Sequence, residues 1–332
     1  MNKRMNYLLM LGLVLLLTAC SAGSKEKAEE QETKSNNKSA YRIGIIQIAE
    51  HSALDENREG FLKALEEAGI QAEIDYKNAQ GDLNNALAIS KKFVDDKVDL
   101  IFAIATPAAQ AAKQATKDSE IPVLFSAVTD PVQAQLVESL EKPNANITGT
   151  SDKTPIKQQL SIFESFDVKN IGVIYNTAET NSETQLKEAE LMAKELGLTI
   201  VPVGITTIND IPKALEVLLQ KTEGMYVLTD NLVASSLELI SKFALDNRYI
   251  IVQSYIDETD AAEGILISNG FSYHDLGKQT GEMAVSVLKG EKTAAEIPVG
   301  NIEKTENMVR QKALDAFDIN PDLPIIKEAR IK

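Results

Sequence analysis

Few residues in this chain could carry out bond-breaking chemistry. His51 and His274 are its two histidines, and Cys20 is its single cysteine. Nucleophilic hydrolysis needs a base beside a serine or cysteine, and metal sites need several ligands at suitable spacing. The 332 residues contain no G-x-S-x-G, Walker A, G-x-G-x-x-G or H-E-x-x-H motif. We therefore expect no catalytic residue, no metal site and no cofactor, and an exported hydrolase is only the third class of function considered.

Polar residues gather instead where apolar segments end and helices are expected to begin. They occupy positions 47–55, 106–107, 126–130, 179–182, 230–231 and 253–257. In α/β proteins the carboxyl ends of parallel strands form the edge at which ligands bind. The pattern therefore predicts a ligand cleft.

Two of these positions suggest what the cleft holds. Thr106 followed by Pro107 predicts a helix N-cap, whose free N–H groups could receive a carboxylate. Asp230 stands at the corresponding place in the second half and could bind an ammonium group. Together they would clamp a zwitterionic amino acid, although either residue could be an ordinary helix cap.

Other polar residues have two interpretations each. Ser126 and Thr129, with Asp130, could surround the ligand carboxylate or form a plain capping turn before a helix. His51 could stack on an aromatic ligand, donate to it or lie at the surface. Asn181 could cap the helix that follows Thr180 or reach the ligand.

The elements that must position these residues form two similar halves. From Tyr41 onward, short apolar runs alternate with helix-like stretches, which predicts parallel sheets with crossover helices. IGII at 43–46 corresponds to IGVI at 171–174, and EAGI at 67–70 to ELGL at 195–198, both at an offset of 128 residues. We predict two open sheets whose strand ends face each other across a cleft.

The segments 147–152 and 268–273 are predicted hinge crossovers, the alternative being surface loops within one lobe. The helix predicted over 273–288 should pack on the first lobe. The boundaries expected are 41–150 plus about 272–299 for lobe 1, and 151–271 plus about 300–332 for lobe 2.

The composition favours a soluble body of about two domains. Hydrophobic residues make up 44% of the chain and charged residues 25%. Lys and Arg number 34 against 49 Asp and Glu, a net charge of −15. This excess of negative charge disfavours nucleic acid as a partner.

The N-terminus indicates export. Residues 1–19 are predicted to be a signal peptide, because the apolar run over 7–17 is too short to span a bilayer. Leu-Thr-Ala-Cys at 17–20 resembles the bacterial lipobox, in which the cysteine receives acyl chains such as palmitate. Cys20 would then anchor the protein to the outer face of the cell membrane. Residues 21–40 contain no aromatic residue and are predicted to be a flexible tether.

Several strings resemble one family of proteins. They are IGIIQIAEHSALDENREGF, ATPAAQAA, FSAVTDP, GTSD, ETNSETQ, LTDN and YHDLGKQTGEMA. With the lipobox, they are similar to the substrate-binding lipoproteins of ABC transporters in the tryptophan/tyrosine-binding group. The resemblance implies a two-lobed type I periplasmic-binding-protein fold of class α/β that closes on its ligand and delivers it to an ABC permease and its ATPase. We expect the protein to act as a monomer.

The resemblance also implies a set of ligand-binding residues. These are Gln47, His51, Asp55, Thr106, Ser126, Thr129, Ser151, Asp152, Asn181 and Asp230. An aromatic amino acid, tryptophan or tyrosine, is the expected ligand. EGILISNGF at 263–271 departs from the family pattern, so a branched-chain amino acid or a purine-like solute stays open, as does a role in sensing rather than transport.

Overall fold

The computed structural model describes residues 40–332. The predicted signal peptide, the predicted lipidation site Cys20 and all but the last residue of the predicted tether lie outside the described residues. The described chain contains two α/β lobes, each built on one sheet. The prediction of two lobes with flanking helices is confirmed.

Lobe 1 begins with a regular alternation of strands and helices. Its elements are β1 (Tyr41–Gln47), α1 (Ser52–Glu67), β2 (Ala72–Asn78), α2 (Leu83–Asp95), β3 (Leu100–Ile104), α3 (Thr106–Ala115), β4 (Val123–Ser126) and β5 (Ile147–Ser151). The strands β1, β3, β4 and β5 are almost wholly buried. Helices covering both faces of a parallel sheet explain why these strands are continuous apolar runs.

Lobe 2 repeats the alternation. Its elements are α4 (Ile156–Ser161), β6 (Asn170–Asn176), α5 (Thr180–Leu196), β7 (Thr199–Ile205), α6 (Ile211–Leu219), β8 (Gly224–Val227), α7 (Asn231–Ala234), α8 (Leu237–Asn247), β9 (Ile250–Gln253) and β10 (Ile267–Gly270). The remaining elements are α9 (Tyr273–Leu288), β11 (Gly300–Asn301), β12 (Glu306–Val309), α10 (Gln311–Ala316), α11 (Pro324–Lys327) and β13 (Arg330–Ile331).

The two sheets have matching strand orders. They read β2-β1-β3-β4-β5-β11 in lobe 1 and β7-β6-β8-β9-β10-β12-β13 in lobe 2. All pairings are parallel except that of β10 with β12. The repeated glycine of β1 and β6 has a packing reason, because a Cβ at Gly44 would lie 2.6 Å from the Phe93 ring and one at Gly172 would lie 2.7 Å from Leu218 Cδ1.

The chain passes between the lobes three times. The first crossover follows β5 and the second connects β10 to α9. After β11, which pairs with β5 in lobe 1, the chain enters lobe 2 again and forms β12 and β13. Each lobe therefore contains segments distant in sequence, and a rotation of one lobe relative to the other would bend all three connections.

Helix α9 packs closely against α1 in lobe 1. A Cβ at Gly277 would lie 1.8 Å from the carbonyl oxygen of Asn57, and one at Gly60 would lie 1.9 Å from that of His274. Only glycine permits this approach of the two backbones. The contact fixes the start of α9, at the second crossover, relative to the first turns of α1.

One local prediction is wrong. The segment 126–131 was expected to lead into a helix, but turns follow it. Asp130 accepts hydrogen bonds from the N–H groups of Val132 and Gln133 and so closes a turn instead. The left-handed backbone of Ala127, at φ 56°, sends the chain out of β4 in a different direction.

Within residues 40–332, no helix combines the length and apolar character needed to cross a membrane. The same residues hold no group of three or more histidine, cysteine, aspartate or glutamate side chains placed to bind a metal ion.

Candidate functional site

A cavity lies between the lobes, at the carboxyl ends of the strands. The empty space within it is about 300 Å³, part of which is open to solvent. It is lined by His51, Ala53, Leu54 and Ala127 of lobe 1, by Asp152 and Tyr273 of the crossovers, and by Asn181, Thr229, Asp230, Asn231, Ala234 and Tyr255 of lobe 2. Four of the predicted site residues, His51, Asp152, Asn181 and Asp230, therefore line one cavity.

Three predicted residues take part in networks outside this lining. Gln47 Nε2 donates to Asp55 Oδ1 at 3.0 Å, and Arg58 Nη1 donates to the same oxygen at 2.8 Å. Ser126 Oγ accepts from Asn57 Nδ2 at 2.8 Å and lies 2.8 Å from Thr150 Oγ1. These bonds connect β1, β4 and β5 to α1.

Thr106 does not cap α3, so that prediction is wrong. Ala105 holds the N-cap position with φ 80°, and Thr106 is already helical. The reason is that the chain turns sharply after β3, and the N–H of Ala105 donates to the carbonyl of Ser126. Thr106 is 2% exposed, its Oγ1 has no partner in the described structure, and it lies outside the lining of the cavity.

Thr129 and Ser151 lie at the edge of the cleft. Ser151 Oγ donates to the carbonyl of Thr129 at 3.0 Å. Thr129 Oγ1 lies 3.2 Å from Thr229 Oγ1 and accepts from Gln185 Nε2 at 3.4 Å. Both of these partners belong to lobe 2, so Thr129 contributes to contact between the lobes.

Further hydrogen bonds cross the cleft. His51 Nε2 lies 3.4 Å from Asn231 Oδ1. Ser52 Oγ donates to Asp257 Oδ2. Since both bonds join α1 to lobe 2, the structure has its lobes closed.

Asp230 is the N-cap of α7, as predicted. Its Oδ1 accepts from the N–H of Val233 at 3.0 Å, and its Oδ2 accepts from the N–H of Asn176 at 2.6 Å. Burial raises the pKa of Asp230, against the lowering effect of these bonds. Hydrogen bonds from the Ser182 side chain and the N–H of Leu232 also lower its pKa, so the carboxylate would act on a ligand cation mainly through its charge.

Glu179 adds a second buried carboxylate beside Asp230. Its Oε1 accepts from Asn176 Nδ2 at 3.1 Å, and its Oε2 accepts from the amide nitrogens of Asn181 at 3.1 Å and Asn231 at 2.6 Å. Burial, and then the charge of Asp230, raise the pKa of Glu179 to about 7. Within residues 40–332, neither carboxylate has a lysine or arginine at ion-pair distance.

Several polar atoms on the cavity lining are buried without a partner in the described structure. They are His51 Nδ1, Asp152 Oδ1, Asn181 Oδ1 and the hydroxyl of Tyr255. Burial lowers the pKa of His51, which favours the neutral ring. Buried polar atoms are normally hydrogen-bonded, so a polar ligand in the cavity would supply partners for these four atoms.

The lobe 1 wall of the cavity favours a negatively charged group of a ligand. Ala53 and Leu54 belong to the first turn of α1, and no side chain caps that end of the helix. The N–H groups of a first helical turn have no partner within the helix and attract anions. The cavity therefore offers donors to an anionic group on one wall and carboxylates to a cationic group on the other.

Aromatic side chains form part of the lining at the second crossover. The rings of Tyr255 and Tyr273 are 6.2 Å apart and nearly perpendicular, and Phe271 stacks against Tyr273 at 5.9 Å. The hydroxyl of Tyr273 donates to Asp152 Oδ2 at 2.7 Å. This bond joins the first crossover to the second at the edge of the cavity.

Three residues of the site belong to segments predicted to form the cleft or a crossover, but the sequence did not single them out as ligand-binding residues. Glu179 precedes α5 as His51 precedes α1, at the same 128-residue offset as the repeated strands, so the repeat could have identified it. Tyr255 and Tyr273 are 3% exposed and are indistinguishable in sequence from core aromatics. Only the fold brings them together.

A two-lobed α/β body with a closed cavity between the strand ends defines a binding protein of the periplasmic type I fold. Residues 42–331 match the family of ABC transporter substrate binding proteins. The chain belongs to this family, whose members are in general binding proteins rather than enzymes.

Two related proteins are similar over nearly their whole length. The chain is 41% identical over 326 residues to a tyrosine-binding protein of Clostridioides difficile, covering 96% of this chain and 93% of the relative. It is 34% identical to a domain from Streptococcus pneumoniae solved in complex with L-Trp, with a TM-score of 0.82, covering 89% of this chain and all of that one.

A third comparison bears on the arrangement of the lobes. The ligand-free, open structure of a substrate-binding protein with adhesive properties from Clostridium difficile is 41% identical, covering 88% of this chain and 99% of that one, with a TM-score of 0.65. The more identical protein thus superposes less well than the L-Trp complex does. This difference agrees with the closed arrangement of the two lobes.

Proposed function

We propose that this protein is the solute receptor of an ABC importer and binds an aromatic amino acid, tyrosine or tryptophan, in the cavity between its lobes. The observation that carries the proposal is the set of unpartnered polar atoms on both walls of one buried cavity. Such atoms are stabilised when a ligand supplies the missing hydrogen bonds.

The two walls suit the two ends of an amino acid. Asp230, with Glu179 behind it, would face the ammonium group, and no protein cation in the described structure competes for that place. The uncapped first turn of α1 would receive the carboxylate. This assignment replaces the Thr106 helix end, which lies away from the cavity, with α1.

The rest of the lining suits an aromatic side chain. Ala53, Leu54, Ala127 and Ala234 are small or apolar, and the Tyr255 and Tyr273 rings offer edge and face contacts. The Tyr255 hydroxyl has no partner in the described part of the chain and could bond a phenol or indole group. The names of the two relatives, a tyrosine-binding protein and an L-Trp complex, support this ligand class.

The proposal also includes export of the protein, its attachment to the membrane and delivery of the ligand to a permease. The lipobox at 17–20 supports acylation of Cys20 and attachment to the outer face of the cell membrane. Family membership supports a permease and its ATPase as partners. A receptor that touches its ligand with both lobes only when closed gives the permease a distinct shape to recognise.

A thermal-shift panel tests the proposal. The purified protein is heated with each of the twenty amino acids and with sugars and nucleosides. At 100 times the dissociation constant a ligand adds about 2.7 kcal/mol of stability, which raises the melting temperature by several degrees. We expect the largest shift with tyrosine or tryptophan. A shift with only leucine, isoleucine or valine, or only with nucleosides, would contradict the aromatic assignment.

A further inference from the structure

Glu179 is the common acceptor for three asparagine side chains around the ligand cavity. Asn176, Asn181 and Asn231 all direct their amide nitrogens to its two oxygens, at 2.6 to 3.1 Å. Glu179 is only 6% exposed, so water cannot readily replace the asparagine side chains as its hydrogen-bond donors. Glu179 therefore helps to hold the side chains of the cavity wall in place.

An ionised carboxylate accepts hydrogen bonds and donates none. It consequently turns the NH₂ group of each amide toward itself and the carbonyl oxygen away. For Asn181 the Thr229 carbonyl, which accepts from Nδ2 at 3.0 Å, favours the same orientation. Asn176 Oδ1 accepts from the N–H of Ala178 at 3.0 Å. Asn231 Oδ1 faces His51, while Asn181 Oδ1 has no partner although the residue is only 5% exposed and lines the cavity.

The same orientation reaches His51 through Asn231. Because Asn231 presents its carbonyl oxygen, the neutral His51 ring must hold its proton on Nε2 to bond it. His51 Nδ1 is then an acceptor, and it has no partner within the described residues. The glutamate thus sets the hydrogen-bonding character of atoms on both sides of the cleft.

We propose that Glu179 is a positioning residue that makes this wall of the cavity an acceptor surface, and so selects ligands that carry an ammonium group. The inference rests on the proposed function and adds the reason for its specificity. An ammonium group can donate to Asn181 Oδ1 and His51 Nδ1 and pair with the charge of Asp230, whereas a ligand without it leaves those two atoms without a donor and the charge without a counter-ion.

The variant Glu179→Gln keeps the shape and replaces one acceptor oxygen by an NH₂ group. A carboxamide can turn either way, so Asn231, whose NH₂ group is held by Glu179, can rotate and present that group to the cavity, while Asn181 is still held by the Thr229 carbonyl. Glu183→Gln is the matched control, since Glu183 lies one turn further along α5, is exposed and pairs with Lys187. Both variants should melt within a few degrees of the unaltered protein.

The first readout is ligand selectivity by calorimetric titration. We compare L-tyrosine with 3-(4-hydroxyphenyl)propionate, which has the same ring and carboxylate but no ammonium group. For Glu179→Gln we expect the affinity for L-tyrosine to fall by about tenfold or more and the preference over the des-amino compound to shrink similarly, with Glu183→Gln unchanged. An unchanged preference in Glu179→Gln would overturn the proposal.

The second readout needs no ligand. The side-chain NH₂ resonances of Asn181 and Asn231 are followed by NMR between pH 5 and 8.5 in the unliganded protein. Protonated Glu179 donates one hydrogen bond, so the chemical shifts of both NH₂ groups should change with a midpoint at about pH 7. In Glu179→Gln the same chemical shifts should not change with pH. Asp230 and His51, the other titratable groups at this cluster, are checked with Asp230→Asn and by the His51 ring resonances. Failure of both pairs to titrate would overturn the orientation by Glu179, whereas failure of amino acids to bind would overturn only the proposed function.

Discussion

At the scale of single residues, Asp230 combines a structural and a binding role. Its carboxylate caps α7 and holds the end of β6 through the N–H of Asn176. Asparagine is also a good N-cap, so Asp230→Asn keeps the cap and removes the charge. We expect amino-acid binding to weaken by about 2 kcal/mol or more, roughly 30-fold, because the ligand ammonium would be buried without its main counter-charge.

Calorimetric titration of L-tyrosine or L-tryptophan checks this prediction. Asp130→Asn is the matched control, because Asp130 likewise accepts two backbone N–H groups but in a turn outside the cavity lining. Full affinity in Asp230→Asn, with Asp130→Asn also unaffected, would show that the ammonium group is bound elsewhere.

The sequence could locate the cavity residues only in part. Strand ends predicted His51, Asn181 and Asp230 as neighbours, since parallel strands end at one edge of a sheet, and the family resemblance added Asp152. The position of a residue at a strand end does not show whether its side chain points into the cleft. Gln47 and Asp55 bond to Arg58, and only the turn of α1 brings that arginine to them.

At the scale of elements, the two crossovers are joined by one side-chain bond. Tyr273, the first residue of α9, donates its hydroxyl to Asp152, which follows β5. Tyr273→Phe removes this bond and leaves a buried carboxylate short of a donor, which should cost about 1–3 kcal/mol of unfolding free energy. Chemical denaturation of the unliganded protein measures the effect.

Tyr255→Phe is the control for that variant. The two rings are in contact and equally buried, but the Tyr255 hydroxyl has no partner within residues 40–332. Removing it should leave the unfolding free energy unchanged or slightly raised. An equal loss in both variants would mean that the crossover bond does not stabilise the fold.

The sequence predicted the positions of helices better than their packing and the turns between elements. The helix predicted after Thr180 and the one predicted over 273–288 agree with α5 and α9, because apolar residues at helical spacing and polar starts are local signals. No helix follows β4 because Ala127 has a left-handed backbone. Such a conformation is usually signalled by a glycine, and this position has an alanine. Close packing of α9 on α1 likewise depends on pairs of residues distant in sequence.

At the scale of the whole molecule, closure brings carboxylates from the two lobes together. Burial, followed by the charges of Asp257, Glu258 and Glu59, raises the pKa of Glu56 to about 7, and Lys332 partly opposes this. Glu56 lies on α1 of lobe 1, whereas Asp257 and Glu258 follow β9 of lobe 2. The crowding is therefore specific to the closed form.

This geometry predicts that closure is linked to proton uptake. An exposed glutamate in the open form titrates near 4.3, so between about pH 4.5 and 7 the closed form holds a proton that the open form lacks. Lowering the pH through this window favours closure, and above pH 7 the charged Glu56 opposes it. Glu56→Gln should bind its amino acid about three- to tenfold more tightly than the unaltered protein at pH 8, and this difference should shrink as the pH falls toward 4.5.

The ratio of the two dissociation constants at each pH is the measured quantity, because effects common to both proteins cancel in it. Glu73→Gln, on the exposed edge strand β2, should give a ratio of one throughout. A ratio for Glu56→Gln that does not change with pH would contradict the link between closure and Glu56.

In the proposed complex, the closed cavity binds an aromatic amino acid by both of its charged ends. The most direct measurement is a calorimetric titration of the purified protein with L-tyrosine, L-tryptophan and 3-(4-hydroxyphenyl)propionate. We predict one site per chain for tyrosine or tryptophan and an affinity about 30-fold or more lower for the compound without an ammonium group. Equal binding of the des-amino compound, or binding of neither amino acid, would contradict the account.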